Sequence, residues 1–474
     1  MNRDAFEMIV GLEVHVQLRT RTKAFCRCPT SFGDPPNRNT CPVCLALPGA
    51  LPVLNARAVE LAVRAALALD ATVHNRSVFA RKNYFYPDLP KGYQISQFEH
   101  PLATGGGVSL DGGRRIGITR IHMEEDAGKS VHDRFAGATA VDLNRAGVPL
   151  IEIVGAPDIR SSREAGAYLR ALREILVYAD VSDCSMEEGS FRVDANVSAR
   201  RRGESALRTR TEIKNLNSFS NAERALDIEF ARHCAAHEAG EVVVQQTMLY
   251  DAPADAVRPA RSKEESHDYR YFPDPDLPPL VLAPGYVDAA RATVPEPPGA
   301  RRARYVSQGV TSPDAHALTA DRGVVTYFEA VVAAGVPAPT AAHWVLGEVL
   351  AARNAGAGDA AFVEAGRLAD LVAMVRANEV SSSAAKAIYA TMIGDPGAPR
   401  AIAARDGRLQ VGDDAALRAW VDEVLAENPA EAARFLGGEA RLLGVLVGLV
   451  MKKSSGRADP KKVGQLLSGR VAGR

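Results

Sequence analysis

Four of the six cysteines lie close together in the sequence and could bind a metal ion. They form a Cys-x-Cys pair and a Cys-x-x-Cys pair, made by Cys26, Cys28, Cys41 and Cys44. Two short pairs joined by a loop can supply the four thiolates of a tetrahedral Zn²⁺ site. The spacing therefore predicts a structural zinc site, because four thiolates leave no open position for a substrate. An iron–sulfur centre and a cluster without metal are the alternatives.

A second set of polar residues lies on segments whose side chains alternate between apolar and polar. Residues 12–18 predict a half-buried strand with Glu13 and His15 on its polar face. Asp194 lies on the polar face of a similar segment, residues 191–198. A solvated sheet surface and an open binding floor both give this pattern, and the sequence leaves the choice open.

Residues 121–130 bring three consecutive carboxylates next to a Gly-Lys-Ser sequence. This sequence is not a phosphate-binding loop, because the glycine required five positions before Gly128 is missing. On a strand, Glu124 and Glu125 point to opposite faces. At most one of them therefore joins His122 or a histidine on a facing strand.

The apolar segment 149–154 is interrupted by Glu152. A carboxylate buried there is strongly destabilising unless it is paired or bound to a metal. A structural salt bridge is one solution. The other is a hard divalent cation held by histidine and carboxylates from separate strands, with water or phosphate oxygens at the remaining positions.

The elements that position these residues belong to a chain of 474 residues, a length that predicts about two to four domains. With 46% hydrophobic and 24% charged residues, the composition indicates a globular core rather than disorder. A formal net charge of zero disfavours a chain-wide attraction to nucleic acid. We recognise neither a membrane-spanning apolar run nor a secretory signal, and we expect a cytoplasmic protein.

The character of the sequence changes along the chain. Strand and turn signals dominate up to a proline-rich stretch near residue 294, and the sequence beyond it is alanine-rich and helical in character, with a further break near residue 410. The last segment, residues 451–474, is basic and includes Lys452, Lys453, Arg457, Lys461 and Lys462. These cations could contact an RNA backbone, and a solvated terminus is the alternative.

Taken together, several of these segments resemble the B subunit of the tRNA-dependent aspartyl/glutamyl-tRNA amidotransferases, the GatB/GatE family. The similarity covers nearly the whole chain in one order: residues 11–16, 81–97, 122–130, 149–154, 186–190, 214–218, 268–279, 448–452 and 456–460. The resemblance implies an α+β fold. A cradle-shaped catalytic domain on an antiparallel sheet (1–294) would precede a helical domain (295–410) and a small helical tail domain that contacts tRNA (411–474).

The resemblance also implies site residues. A Mg²⁺ site would have His15, Glu125 and Glu152 as ligands and catalytic residues, with Glu13 and Asp194 nearby. The four cysteines are similar to those of the zinc-binding members, whereas other members lack them. Zinc would therefore be structural rather than catalytic.

The activity implied by the resemblance has two steps. ATP phosphorylates the side-chain carboxyl of Glu or Asp on a mischarged tRNA, and ammonia then displaces phosphate to give Gln-tRNA(Gln) or Asn-tRNA(Asn). Ammonia would come from a partner amidase subunit, which a small third subunit of the complex stabilises. A noncatalytic tRNA-binding scaffold is the alternative, and a free-standing zinc hydrolase is disfavoured because a Cys₄ set has no open position.

Overall fold

The computed structural model describes residues 3–135, 137–260, 269–410, 414–454 and 456–472. The chain divides into two compact units, Met1–Ala300 and Arg301–Arg474. The first unit contains a large sheet with helices, and the second unit is helical in the part that the structure describes. The α+β class predicted from the sequence is confirmed.

The first unit contains all the strands that the described residues form. They are β1 (Phe6–Gln17), β2 (Thr72–Val73), β3 (Arg76–Ser77), β4 (Phe79–Asn83), β5 (Tyr93–Gln97), β6 (Ala103–Thr104), β7 (Gly107–Ser109), β8 (Arg115–Glu125), β9 (Lys129–Phe135), β10 (Ala138–Asp142), β11 (Pro149–Gly155), β12 (Phe191–Arg201), β13 (Thr211–Lys214), β14 (Thr247–Asp251), β15 (Ala256–Pro259), β16 (Phe272–Pro273) and β17 (Leu280–Val281). Its helices are α1 (Ala56–Ala68), α2 (Ser162–Tyr178), α3 (Phe219–Glu238) and α4 (Tyr286–Arg291).

Ten strands form one sheet in the order β15-β14-β13-β12-β1-β11-β8-β6-β2, with β7 also paired to β8. Its pairs are antiparallel except for β13 and β14, which run parallel. The central strand β1 shows the predicted alternation, since Leu12, Val14 and Val16 are fully buried. These side chains belong to one hydrophobic cluster with residues of α1, α2 and α3. The helices therefore cover the apolar face, and Glu13 and His15 lie on the opposite face.

Helix α3 is held against the sheet by a buried polar network. Ser218 caps its first turn by accepting a hydrogen bond from the Asn221 N–H. Further along, the fully buried Glu229 accepts hydrogen bonds from the Thr211 hydroxyl of β13 (2.7 Å) and from Arg232 (2.6 Å). Burial by itself would raise the pKa of Glu229, but hydrogen bonds from His233, Arg232 and Thr211 outweigh it and lower the pKa to about 2.

The second unit consists of helices. They are α5 (Pro298–Ser307), α6 (Ser312–Thr319), α7 (Arg322–Ala333), α8 (Ala338–Trp344), α9 (Leu350–Ala352), α10 (Ala365–Arg376), α11 (Ser382–Met392), α12 (Pro399–Arg405), α13 (Asp414–Glu427), α14 (Pro429–Leu436), α15 (Leu443–Lys453) and α16 (Pro460–Ala472). Short π-helical segments, Val345–Val349 and Arg353–Ala357, flank α9. No helix that the structure describes is long and apolar enough to cross a membrane.

Two separate hydrophobic clusters form within the second unit. One extends from Tyr305 to Ala403 and the other from Leu417 to Leu467. A boundary near residue 410 remains a prediction, and residues 411–413 lie outside the described residues.

We predict that Glu229→Gln destabilises the first unit by about 2 kcal/mol at neutral pH, because it removes a charge that three buried hydrogen bonds stabilise. The folded pKa lies below the usual 4.5, so this stabilisation is present at neutral pH and is lost as the pH falls toward about 2. Hydrogen exchange at the α3 amides measures the change. Glu241→Gln, at an exposed position just beyond α3, is the matched control, and equal exchange in the two variants would contradict the prediction.

Candidate metal sites in the first unit

Three neighbouring strands bring histidines and carboxylates to the polar face of the sheet. His15 of β1 lies directly opposite Glu152 of β11, and Glu152 lies opposite His122 of β8. Glu124 follows His122 by two positions, so both side chains point to the same face. Strand pairing therefore assembles this group from three distant segments.

The ligand atoms of His15, Glu124 and Glu152 all lie within 4.8 Å of one another. The His15 Nε2 atom is 3.5 Å from a carboxylate oxygen of Glu124 and 3.5 Å from one of Glu152. The His122 Nε2 atom lies 3.1 Å from Glu152. Both carboxylates are buried, with 4% of Glu124 and 9% of Glu152 exposed. One imidazole and two carboxylates suit a divalent cation that keeps positions for water or phosphate.

The electrostatics of this group indicate that it requires positive charge. Burial would lower the pKa of His15, but its hydrogen bond to Glu152 and the charges of Glu124 and Glu152 raise it to about 9. Burial raises the pKa of Glu124. Burial also acts to raise the pKa of Glu152, but hydrogen bonds from His122 and His15 hold it well below its usual value. A divalent cation could therefore take over the positive charge that the protonated imidazole supplies.

Glu125 is not brought to this group in the structure. Its carboxylate accepts hydrogen bonds from the Lys91 ammonium and from the Ile95 N–H (2.9 Å). The alternation along β8 places it on the face opposite Glu124, so the structure joins Glu124, rather than Glu125, to His15 and Glu152. Glu125 as a metal ligand remains a prediction without geometric support.

Glu13 and Asp194 lie beside the group and face each other across β1 and β12. Asn196 donates a hydrogen bond to Glu13 (3.0 Å), while the Lys214 ammonium lies 2.8 Å from Asp194 and 2.9 Å from Glu212. Burial, followed by the like charges around it, raises the pKa of Glu13. A lysine ammonium thus supplies the positive charge at this second carboxylate cluster.

Two further cations flank the group, and the sequence had not marked them as site residues. Arg192 donates to both oxygens of the Asp126 carboxylate, at 3.0 and 2.9 Å, and is the residue opposite His15 in β12. Lys82 lies 4.9 Å from the ring centre of Tyr269. Burial opposes its charge, but neighbouring groups that include Glu124 and Glu152 raise its pKa. The available signals were the alternation of residues 191–198 for Arg192 and, for Lys82, the density of aromatic and cationic residues in the stretch 81–97.

The four cysteines converge as the sequence predicts. All four sulfur atoms lie within 4.8 Å of one another. The Cys44 sulfur is 3.6 Å from that of Cys26 and 3.8 Å from that of Cys41. A tetrahedron with zinc–sulfur bonds of the usual length has edges of about 3.8 Å, so the donor set fits Zn²⁺.

The basic tail residues lie on and around α15 and α16. Lys453 and Lys462 approach acids of α13, while Arg457 lies 5.7 Å from the centre of an indole ring of that helix. Lys452 and Lys461 are exposed. Two of the five basic residues predicted to contact RNA, Lys453 and Lys462, therefore already lie near acidic residues of the same unit.

These features define a class of protein: a catalytic-type domain built on a sheet that carries a buried histidine–carboxylate group. Comparison with known proteins identifies the family. Residues 8–288 match the family model described as the GatB/GatE catalytic domain, and residues 326–471 match the GatB domain. The chain belongs to the GatB/GatE family.

Full-length relatives agree with this assignment. They are named as the B subunit of aspartyl/glutamyl-tRNA(Asn/Gln) amidotransferase. The relative from Geobacter sulfurreducens is 50% identical over 99% of this chain and 100% of its own length. Those from Oleidesulfovibrio alaskensis and Chlorobium chlorochromatii are 49% and 48% identical, over 98% and 99% of this chain and 98% and 100% of their own lengths.

We predict that Glu124→Gln weakens Mn²⁺ binding by about 10-fold or more, because it removes a buried anionic ligand, whereas Glu125→Gln leaves binding near the wild-type value. Electron paramagnetic resonance of free Mn²⁺ in a titration measures both constants. The two variants make the same chemical change at neighbouring positions on opposite faces of β8. Loss of binding in Glu125→Gln alone would contradict the assignment of Glu124.

Proposed function

We propose that this protein is the B subunit of a tRNA-dependent amidotransferase and that it carries the site at which Glu-tRNA(Gln), Asp-tRNA(Asn) or both are amidated. The observation that carries the proposal is the His15–Glu124–Glu152 group, which lies within the part of the chain that matches the family's catalytic domain. The names of relatives similar over the whole chain support the same reaction.

The reaction joins two group transfers. A carboxylate oxygen of the aminoacyl side chain attacks the γ-phosphorus of ATP, and ADP leaves. Ammonia then attacks the carbonyl carbon of the acyl phosphate, and inorganic phosphate leaves. Both steps pass through phosphate-bearing anions, for which positioning and charge stabilisation supply most of the catalysis.

His15, Glu124 and Glu152 would hold Mg²⁺, which when bound neutralises charge on the transferring phosphoryl group. Arg192 adds positive charge at the same face of the sheet, where the Asp126 carboxylate fixes its orientation. Lys82, on β4 of the separate three-stranded sheet, adds positive charge near Glu124 and Glu152. The chain's own residues thus provide both the cation ligands and the cationic surroundings for a phosphorylated substrate.

The remaining components follow from the same proposal. Ammonia comes from a partner amidase subunit, in a complex that also contains a small third subunit, and we place the reaction in the cytoplasm, where charged tRNA occurs. Cys26, Cys28, Cys41 and Cys44 hold a structural Zn²⁺, which the spacing of their sulfur atoms supports.

The experiment is reconstitution of the chain with its amidase and small partner proteins, Mg²⁺, ATP and glutamine. We expect ATP turnover and amide formation with mischarged Glu-tRNA(Gln) or Asp-tRNA(Asn), and none with correctly charged Gln-tRNA(Gln). Glu124→Gln should bind tRNA and assemble normally but lose amidation. Tight tRNA binding without turnover in the wild type, with both substrates and active partners, would favour a tRNA-binding scaffold instead.

For the tail, we predict that Lys452→Gln with Lys461→Gln weakens tRNA binding and reduces the slope of log affinity against log salt by roughly 1.5, because two phosphate contacts are lost. Filter binding at several salt concentrations measures the slope. The matched control is Lys453→Gln with Lys462→Gln, whose ammonium groups already lie near acids of α13. Equal slopes in the wild type and the first variant would argue against a phosphate contact.

A further inference from the structure

One lysine is entirely buried next to the four cysteines. Lys23 has no exposed surface, and its Nζ atom lies 2.7 Å from the Asn39 carbonyl oxygen, 3.1 Å from the Leu143 carbonyl oxygen and 3.4 Å from the Cys44 sulfur. These partners come from the cysteine loop and from the turn that precedes β11. Lys23 therefore contacts both segments with a single group.

The number of partners indicates that Lys23 carries a charge. An ammonium has three N–H donors and no acceptor, and its three partners here are all acceptors. A neutral amine would instead direct its lone pair at one of these acceptors, without a hydrogen bond. The geometry is thus that of a fully satisfied, buried ammonium.

A buried ammonium requires an opposite charge nearby. Among its three partners, only the Cys44 sulfur can be anionic, since the other two are backbone carbonyls. The ion pairs found between carboxylates and cations in the described part of the chain do not include Lys23. Glu125 lines the same small cavity, but its carboxylate is bound by Lys91 and the Ile95 N–H.

We propose that Lys23 is a positioning residue of the cysteine metal centre, where its ammonium donates an N–H···S hydrogen bond to the Cys44 thiolate and compensates part of the centre's charge. This inference rests on the zinc site proposed above. Four thiolates around Zn²⁺ leave a net charge of about −2, which is unfavourable in a partly buried loop. One ammonium in hydrogen-bond contact reduces that charge by half.

Lys23 also connects the cysteine loop to the turn before β11, the strand that carries Glu152. The Asn39 N–H donates to the Asn144 side-chain oxygen (2.8 Å), and the Ala24 N–H donates to the Gly147 carbonyl (2.8 Å). The Lys23 bond to Leu143 belongs to this junction, which leads directly into β11. Lys23 thus couples metal binding in the loop to the position of the turn before Glu152.

We test the proposal with Lys23→Met in the full-length chain. Zinc affinity is measured by competition with a chromophoric chelator, and the thiolate-to-metal charge-transfer band is recorded after substitution with Co²⁺. We expect zinc affinity to fall about 10- to 100-fold, as for other residues that hydrogen-bond to metal ligands. The band should move to lower energy, because a thiolate that loses its hydrogen bond gives up an electron more readily.

The matched control is Asn144→Ala, which breaks the junction between loop and turn without removing a donor to the thiolate. It should leave the charge-transfer band unchanged and the zinc affinity near the wild-type value. If Lys23→Met does not fold, Lys23→Gln, which keeps N–H donors but no charge, is measured in its place. Its zinc affinity should fall in the same direction, and its band should lie between the wild-type position and that of a thiolate without a hydrogen bond.

The outcomes separate the two levels of the proposal. A Lys23 variant with wild-type affinity and band would overturn the role of Lys23 while the zinc centre stands. Equal losses in the Lys23 and Asn144 variants, with no shift of the band, would assign the effect to the junction and also overturn it. A wild-type chain that does not bind Zn²⁺ tightly would refute the metal centre itself.

Discussion

The concentration of carboxylates on one face of the large sheet is the constraint on which the site depends. Glu13, Glu124, Glu152 and Asp194 lie close together, at least partly out of water, where like charges repel strongly. Cationic side chains on neighbouring strands compensate these negative charges, among them His15 at Glu152 and Lys214 at Asp194. The helices on the apolar face hold these strands in register, so the hydrophobic core maintains a charge arrangement that would otherwise disperse.

The sequence revealed this arrangement only in part. Strict alternation in β1 predicts that Glu13 and His15 share a face, and the structure agrees. Alternation also predicts that Glu124 and Glu125 point apart, but it does not tell which one faces His15. That choice depends on the register of β8 against β11, in which Glu152 pairs with His122. The sequence of either strand alone does not determine this long-range register.

The cysteine loop shows the same limit at shorter range. The spacing of Cys26, Cys28, Cys41 and Cys44 is a local signal, and it predicted the convergence of their sulfur atoms correctly. Lys23, adjacent in sequence, carried no such signal. Its bond to the Leu143 carbonyl spans 120 positions, so its burial becomes evident only once the turn before β11 is packed against the loop.

The two candidate metal sites are linked through the contacts between the cysteine loop and the turn before β11. The four cysteines lie outside the His15–Glu124–Glu152 group, and four thiolates leave no open position for a substrate. Without the Cys44 thiolate, Lys23 would retain its two carbonyl partners but lose its anionic one, and would be less stable as an ammonium. In the proposed zinc centre, the Cys44 thiolate provides that charge. Such a centre would act on the reaction indirectly, through the loop and the turn that lead into the strand on which Glu152 lies.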